Sequence, residues 1–178
     1  MAAILGLDID AVKALAAEAA GDEVCAAAND NDPSQVVVSG HKAAVERAAQ
    51  LAKERGAKRA LMLPVSAPFH CSLMDPAARA MEAALGEVDM ADPVVPVVSN
   101  VRARPVSDAA TIRGLLVEQV TQSVRWRESV DWMATEGGVT ALWELGAGKA
   151  LTGMIRRIAR EAETRAVSSP DDIAAAKG

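Results

Sequence analysis

Tyrosine is absent from this 178-residue sequence, phenylalanine occurs once and tryptophan three times. A core built on aromatic stacking is therefore excluded. A basic excess is missing too: 19 Lys and Arg against 24 Asp and Glu give a formal net charge of −5. General nucleic-acid binding needs a basic face to release counterions, so that class falls away. Cysteine and histidine are equally scarce. Cys25, Cys71, His41 and His70 are the whole complement, and their spacing matches no metal motif. No metal is expected, and such sparse thiols suit a reducing compartment. No apolar run approaches the ~18 residues of a membrane span. The opening MAAILGLDID lacks the basic start and small-residue cleavage site of a signal peptide. The expected location is the cytoplasm.

What is present is a globular balance, 51% hydrophobic against 24% charged. Alanine supplies much of the apolar share, so a core of small aliphatic layers is expected. The length suits one ordinary domain or two small ones. Over the first sixty-odd residues the pattern alternates. AAILGL reads as a buried strand and Asp8 as the cap of a helix over 9–20, with Val12, Leu15, Ala16 and Ala19 at helical spacing. EVCAAA reads as a strand, NDNDPS as a turn, and QVVVSG as a β-branched strand. A second amphipathic helix, HKAAVERAAQLAKERG, leads to a fourth strand, KRALMLPV. The order β-α-β-β-α-β is the ferredoxin-like pattern, assigned to residues 1–64.

Residues 65–165 have another rhythm. A helix is expected after Asp75 as cap with Pro76 at its first position. A proline-bearing strand follows at PVVPVVSN, then helices over 108–122 and 126–136, a strand VTALWEL and a helix GKALTGMIRRIAREA. Two clear strands for four helices make a poor sheet. They suggest part of a larger α/β layer. Residues 166–178 carry little signal and are assigned as a tail.

The chemistry concentrates at VSAPFHCSLM, where His70 stands between Phe69 and Cys71. An imidazole just after a strand is suited to general base work, because histidine titrates near neutrality; capping of local backbone is the plainer alternative. His41, at a helix start, reads as structural. ELGAGKALTG invites a phosphate-loop reading, but Ala150 follows Lys149 and Trp143 stands where the first glycine belongs. A tight strand-to-helix turn accounts for it. Lys53, Arg55, Lys58, Arg59, Arg156, Arg157 and Arg160 read as solvated helix faces, with the docking of an acidic partner as the other option. Asn29 and Asn31 read as turn formers, with their amides aimed into a cleft as the other option.

In order along nearly the whole chain, MAAILGLD, NDNDPSQVVVSGHKAAVERA, GAKRALMLPVSAPFHCSLMDPAA, VPVVSNV, LLVEQVTQSVRW and ELGAGKALTGMIRRI resemble malonyl-CoA:acyl carrier protein transacylases of fatty-acid synthesis. The resemblance implies an α/β fold: a ferredoxin-like βαββαβ subdomain, followed by the C-terminal part of a hydrolase-like acyltransferase core. It implies that His70 is the catalytic histidine and that the backbone carbonyl of Gln119, in VEQV, orients it as an aspartate does in a serine-protease triad. Phe69 matches a bulky residue that leaves little room for a methyl branch, and Asn29 an asparagine lining the cleft. The implied substrate is malonyl-CoA and the partner an acyl carrier protein bearing phosphopantetheine, with no bound cofactor.

One departure weighs on all of this. The family nucleophile is a serine in a G-x-S-x-G elbow, and no such motif occurs in this sequence. The family arginine that pairs with the malonyl carboxylate, and an N-terminal G-Q-G motif, likewise belong to a region without counterpart here. GAGK stands where the family has G-P-G-K. The chain alone is thus expected to be inactive, or nearly so, unless the missing N-terminal portion acts in trans. A non-catalytic ferredoxin-like binding module, for a carrier protein or a small ligand, is the alternative.

Overall fold

The computed structural model describes residues 1–177. Its first part runs β1 (Ala2–Leu5), α1 (Ile9–Ala20), β2 (Cys25–Asp32), β3 (Gln35–Gly40), α2 (Lys42–Glu54) and β4 (Arg59–Met62). The four strands form an antiparallel sheet in the order β2-β3-β1-β4, the ferredoxin-like arrangement. Asp8 caps α1 by accepting from the Ala11 N–H at 2.8 Å. The stripes Val12, Leu15, Ala16, Ala19 and Ala44, Val45, Ala48, Ala52 pack on Ala2, Ile4, Val36 and Val38 of the sheet. Side chains alternate along a strand, so Ala3, Val37 and Ser39 point to the opposite face, where they too are buried.

β2 corrects the turn expected at NDNDPS. The strand runs on through Asn29 to Asp32, leaving a tight connection at Pro33–Ser34. Tertiary partners hold these polar residues extended. The Asp30 N–H donates to the Val124 carbonyl at 2.9 Å, and the Val124 N–H to the Ala28 carbonyl at 2.8 Å. Asp32 turns its carboxylate back on the Ser34 N–H at 2.9 Å. Gly40 ends β3 where a Cβ would lie 1.9 Å from the Val24 carbonyl oxygen. That close approach lets His41 bind the residue just before β2 twice: its N–H donates to the Val24 carbonyl, and its Nδ1 accepts from the Val24 N–H, both at 2.9 Å. His41 is structural.

The second part holds a single 3-10 turn over Ser72–Met74, then α3 (Asp75–Gly86), β5 (Val97–Ser99), β6 (Arg104–Val106), α4 (Ala109–Gln119), α5 (Trp126–Ala134), β7 (Ala141–Leu145), α6 (Ala150–Ile158), β8 (Glu163–Val167) and α7 (Pro170–Lys177). Met74, not Asp75, is the cap of α3, because the preceding 3-10 turn brings the chain into helix one residue earlier. The strand expected across PVVPVVSN shrinks to β5, paired antiparallel with β6; its prolines have no N–H to give a ladder. The region assigned as a tail carries regular structure as far as residue 177, and residue 178 lies outside the described residues. The first residues of that region belong to β8, which lies parallel to β7, and 170–177 form α7. The alanines of α7 have no apolar periodicity to betray it.

Two ion pairs fasten the second part to the first. Arg127 of α5 reaches Asp30 at 2.8 Å and Arg157 of α6 reaches Asp32 at 2.7 Å. Both carboxylates are almost fully buried on β2. Asp30 holds the Arg127 guanidinium above its ordinary range through their hydrogen bonds, against the opposing cost of burial.

Candidate active site

His70 lies in the turn between β4 and the 3-10 helix, with φ at 58°. That left-handed value is rare for a residue with a Cβ. Its Nδ1 is 2.9 Å from the Gln119 carbonyl oxygen. Gln119 ends α4, and the last carbonyls of a helix have no partner within it; this one is free to accept from the ring. A carbonyl can only accept, so Nδ1 carries the hydrogen and the lone pair sits on Nε2. The Gln119 side chain is turned away, its amide donating to the Gln122 carbonyl at 3.0 Å. Its part in the site is played by the backbone.

The other two residues singled out in the sequence stand apart from this pair. Phe69 precedes His70 and is 40% exposed. Asn29 is half-buried in β2 beside Val124, and among the described residues no hydrogen bond joins it to His70 or Gln119. The link is through the chain, since residues 119–124 run from the imidazole's acceptor to the flank of β2. Among the described residues no hydroxyl or thiol bonds to His70, and none gives Nε2 a hydrogen-bond partner. The arrangement is an imidazole fixed in one orientation by a backbone carbonyl.

The GAGK turn is also settled by its contacts. The Glu144 carboxylate accepts from the Leu151 N–H at 3.1 Å and the Thr152 N–H at 2.8 Å. A side chain thus occupies the start of α6 where a phosphate would bind. Three contacts gave no usable signal in the sequence: the Arg127–Asp30 and Arg157–Asp32 pairs, and the meeting of the Ser39 hydroxyl with the Cys71 sulfur at 4.0 Å. Each joins residues at least 32 positions apart.

The architecture is that of the C-terminal part of an α/β acyltransferase. The crystal structure of an acyl-carrier-protein S-malonyltransferase from Bartonella henselae superposes with a TM-score of 0.94 at 47% identity, over 98% of this chain and 55% of that one. In sequence the chain is homologous to the malonyl CoA-acyl carrier protein transacylases. It is 45% identical over 176 residues to that of Salmonella typhimurium, a match covering 99% of this chain and 57% of the relative. A malonyl-transacylase solved in complex with a type II polyketide acyl-carrier protein superposes with a TM-score of 0.94 at 40% identity. No family model matches the chain. The chain spans little more than half the length of these relatives.

Proposed function

We propose that this chain is the histidine-bearing portion of a malonyl-CoA:acyl carrier protein malonyl transferase, with His70 as general base and the Gln119 carbonyl as its orienting acceptor. The observation that carries this is the 2.9 Å contact between His70 Nδ1 and the Gln119 carbonyl, within a chain homologous to such enzymes. The base takes a proton from a serine hydroxyl at Nε2 as that oxygen attacks the malonyl thioester carbonyl. It returns the proton to the departing CoA sulfur. In the second half-reaction it takes the proton of the carrier protein's phosphopantetheine thiol, which attacks the acyl-serine, and hands it to the serine oxygen. The Gln119 carbonyl holds the ring in one tautomer throughout.

The proposal includes a division near residue 64, with a ferredoxin-like unit over 1–64 and part of the acyltransferase core over 65–165. It also includes a cytoplasmic location; among the described residues no helix is long and apolar enough to cross a membrane. Phe69 narrows the pocket against a methyl branch, a discrimination worth ~1–3 kcal/mol, and Asn29 lines the cleft. The serine belongs to the N-terminal portion of such enzymes, which has no counterpart in this sequence. A second reading has a specific support, the lack of any G-x-S-x-G in the sequence: a non-catalytic module that binds carrier protein or a small ligand.

Intact-mass spectrometry after exposure to malonyl-CoA tests both. The chain alone should gain no malonyl group. With the N-terminal portion of a homologous enzyme added, that portion should become acylated and pass malonyl to carrier protein only when His70 is intact. Equal transfer with His70→Ala would leave the binding-module reading.

A further inference from the structure

The turn that carries His70 is held almost without backbone hydrogen bonds. Among the described residues, no backbone N–H from Ser66 to Cys71 donates within the chain. Yet His70 keeps a left-handed φ of 58°, which costs a residue with a Cβ ~1–2 kcal/mol and persists only where surroundings enforce it. Side chains must do the holding. The next residue, Cys71, is 2% exposed, and its thiol donates to the Pro68 carbonyl at 3.2 Å. That bond closes Pro68–Cys71 around the residue bearing the imidazole. From the other side the Ser39 hydroxyl meets the Cys71 sulfur at 4.0 Å. Ser39 is fully buried on β3, which lies between β2 and β1 in the sheet. One thiol therefore ties the His70 turn to an interior strand.

We propose that Cys71 is a positioning residue for His70: its thiol, as donor to Pro68 and acceptor from Ser39, fixes the turn so that Nδ1 stays aligned on the Gln119 carbonyl. This rests on the reading of His70 as the base. The residue type suits the place. A site this buried favours a small apolar side chain, but the Pro68 carbonyl needs a donor. Cysteine supplies both. Serine retains the donor at slightly smaller size, whereas valine and alanine lose it.

The chain's two histidines make the test direct. Their contacts demand opposite tautomers, with hydrogen on Nδ1 of His70 facing a carbonyl, and on Nε2 of His41, whose Nδ1 accepts from Val24. Nitrogen-15 NMR of the labelled 178-residue chain above pH 8 should show one of each, assigned by His41→Gln. In Cys71→Val the His70 nitrogens should converge toward tautomer-averaged shifts, while Cys71→Ser keeps the wild-type pattern. The His41 signals serve as the control for folding; where they too are lost, Cys71→Ala is read in place of the valine variant. A single Nδ1–H tautomer persisting in the apolar variants overturns the proposal. So does averaging in Cys71→Ser, or in the wild type. Failure of His70 as the base is read separately, as malonyl transfer that survives His70→Ala in the complemented enzyme, and leaves the tautomer result untouched.

Discussion

At the scale of single residues, the candidate site separates what a side chain does from what a backbone does. On the proposed reading His70 acts through its ring, so His70→Ala in the complemented enzyme should cost ~10²–10⁴-fold in transfer rate, the ordinary worth of a positioned base. Gln119 acts through its carbonyl, which every replacement keeps. Gln119→Ala loses one side-chain hydrogen bond, to the Gln122 carbonyl, worth ~1 kcal/mol, and should cost less than ~tenfold. Comparable losses for the two variants, measured as malonyl-carrier protein formed per minute, would show that the amide itself takes part. Cys25 makes a contrasting case. Burial, reinforced by the neighbouring Cys71 thiol, pushes the Cys25 thiol up to about 11. Nucleophilic reactivity belongs to the thiolate. In the folded chain at neutral pH, Cys25 should resist a disulfide reagent that labels it rapidly in urea.

At the scale of elements, β2 is the joint. Two of its carboxylates are buried against arginines of α5 and α6, but they are not equally dependent on them. Asp32 is also held by the Ser34 N–H and hydroxyl, both at 2.9 Å; Asp30 has Arg127 alone among the described side chains. Arg127→Met should therefore destabilise by ~2 kcal/mol and Arg157→Met by ~1 kcal/mol. Both values sit below the ~3–5 kcal/mol of a fully buried pair because the arginines are partly solvated. Urea midpoints in the reverse order would refute the ranking. The Asp32 joint also has a defined acid limit. Burial pushes this carboxyl up, but the Ser34 bonds and the Arg157 guanidinium outweigh it and hold the group below its usual range. A depressed carboxyl contributes stability that is complete above the unfolded value near ~3.9 and is lost as pH falls through the folded one. The stability gap between wild type and Asp32→Asn should stay flat from about pH 5 to 8 and close only below ~pH 4. A gap that closes near neutrality would place the titration elsewhere.

At the scale of the whole molecule, order and exposure are unevenly divided. Most of the buried aliphatic cluster belongs to residues 2–52, whereas Val94, Val95, Trp143 and Leu145 are at least half exposed. β7 and β8 form a two-stranded parallel sheet, although parallel strands are ordinarily covered on both faces. The homologous structures extend well beyond the part this chain matches, which spans 55% of one of them. Amide exchange should accordingly be slowest in β1, β3, α1 and α2 and fast in β7 and β8. A dye that fluoresces on apolar surface should bind the chain, and bind less once the N-terminal portion of a homologue is added. Uniform protection across both parts would contradict that division.

Much of this was legible in the amino-acid order because its causes are local. The stripes of α1 and α2, the Asp8 cap and the β-branched run of β3 are written within a few residues, and they sufficed for the βαββαβ reading. VSAPFHCSLM drew the eye to His70 by its composition. The partners of these residues were another matter. That the carbonyl meeting His70 comes from the end of α4, 49 positions away, entered only as an implication of family resemblance; as geometry it belongs to the packing. NDND looked like a turn because four polar residues have no local reason to extend; pairing with β3, the Arg127 and Arg157 side chains and the Val124 backbone supply one. β8 pairs with a strand 22 positions earlier across α6, a choice no short window contains. Local periodicity set the elements, while the satisfaction of buried polar groups by distant partners decided which residues meet at the site.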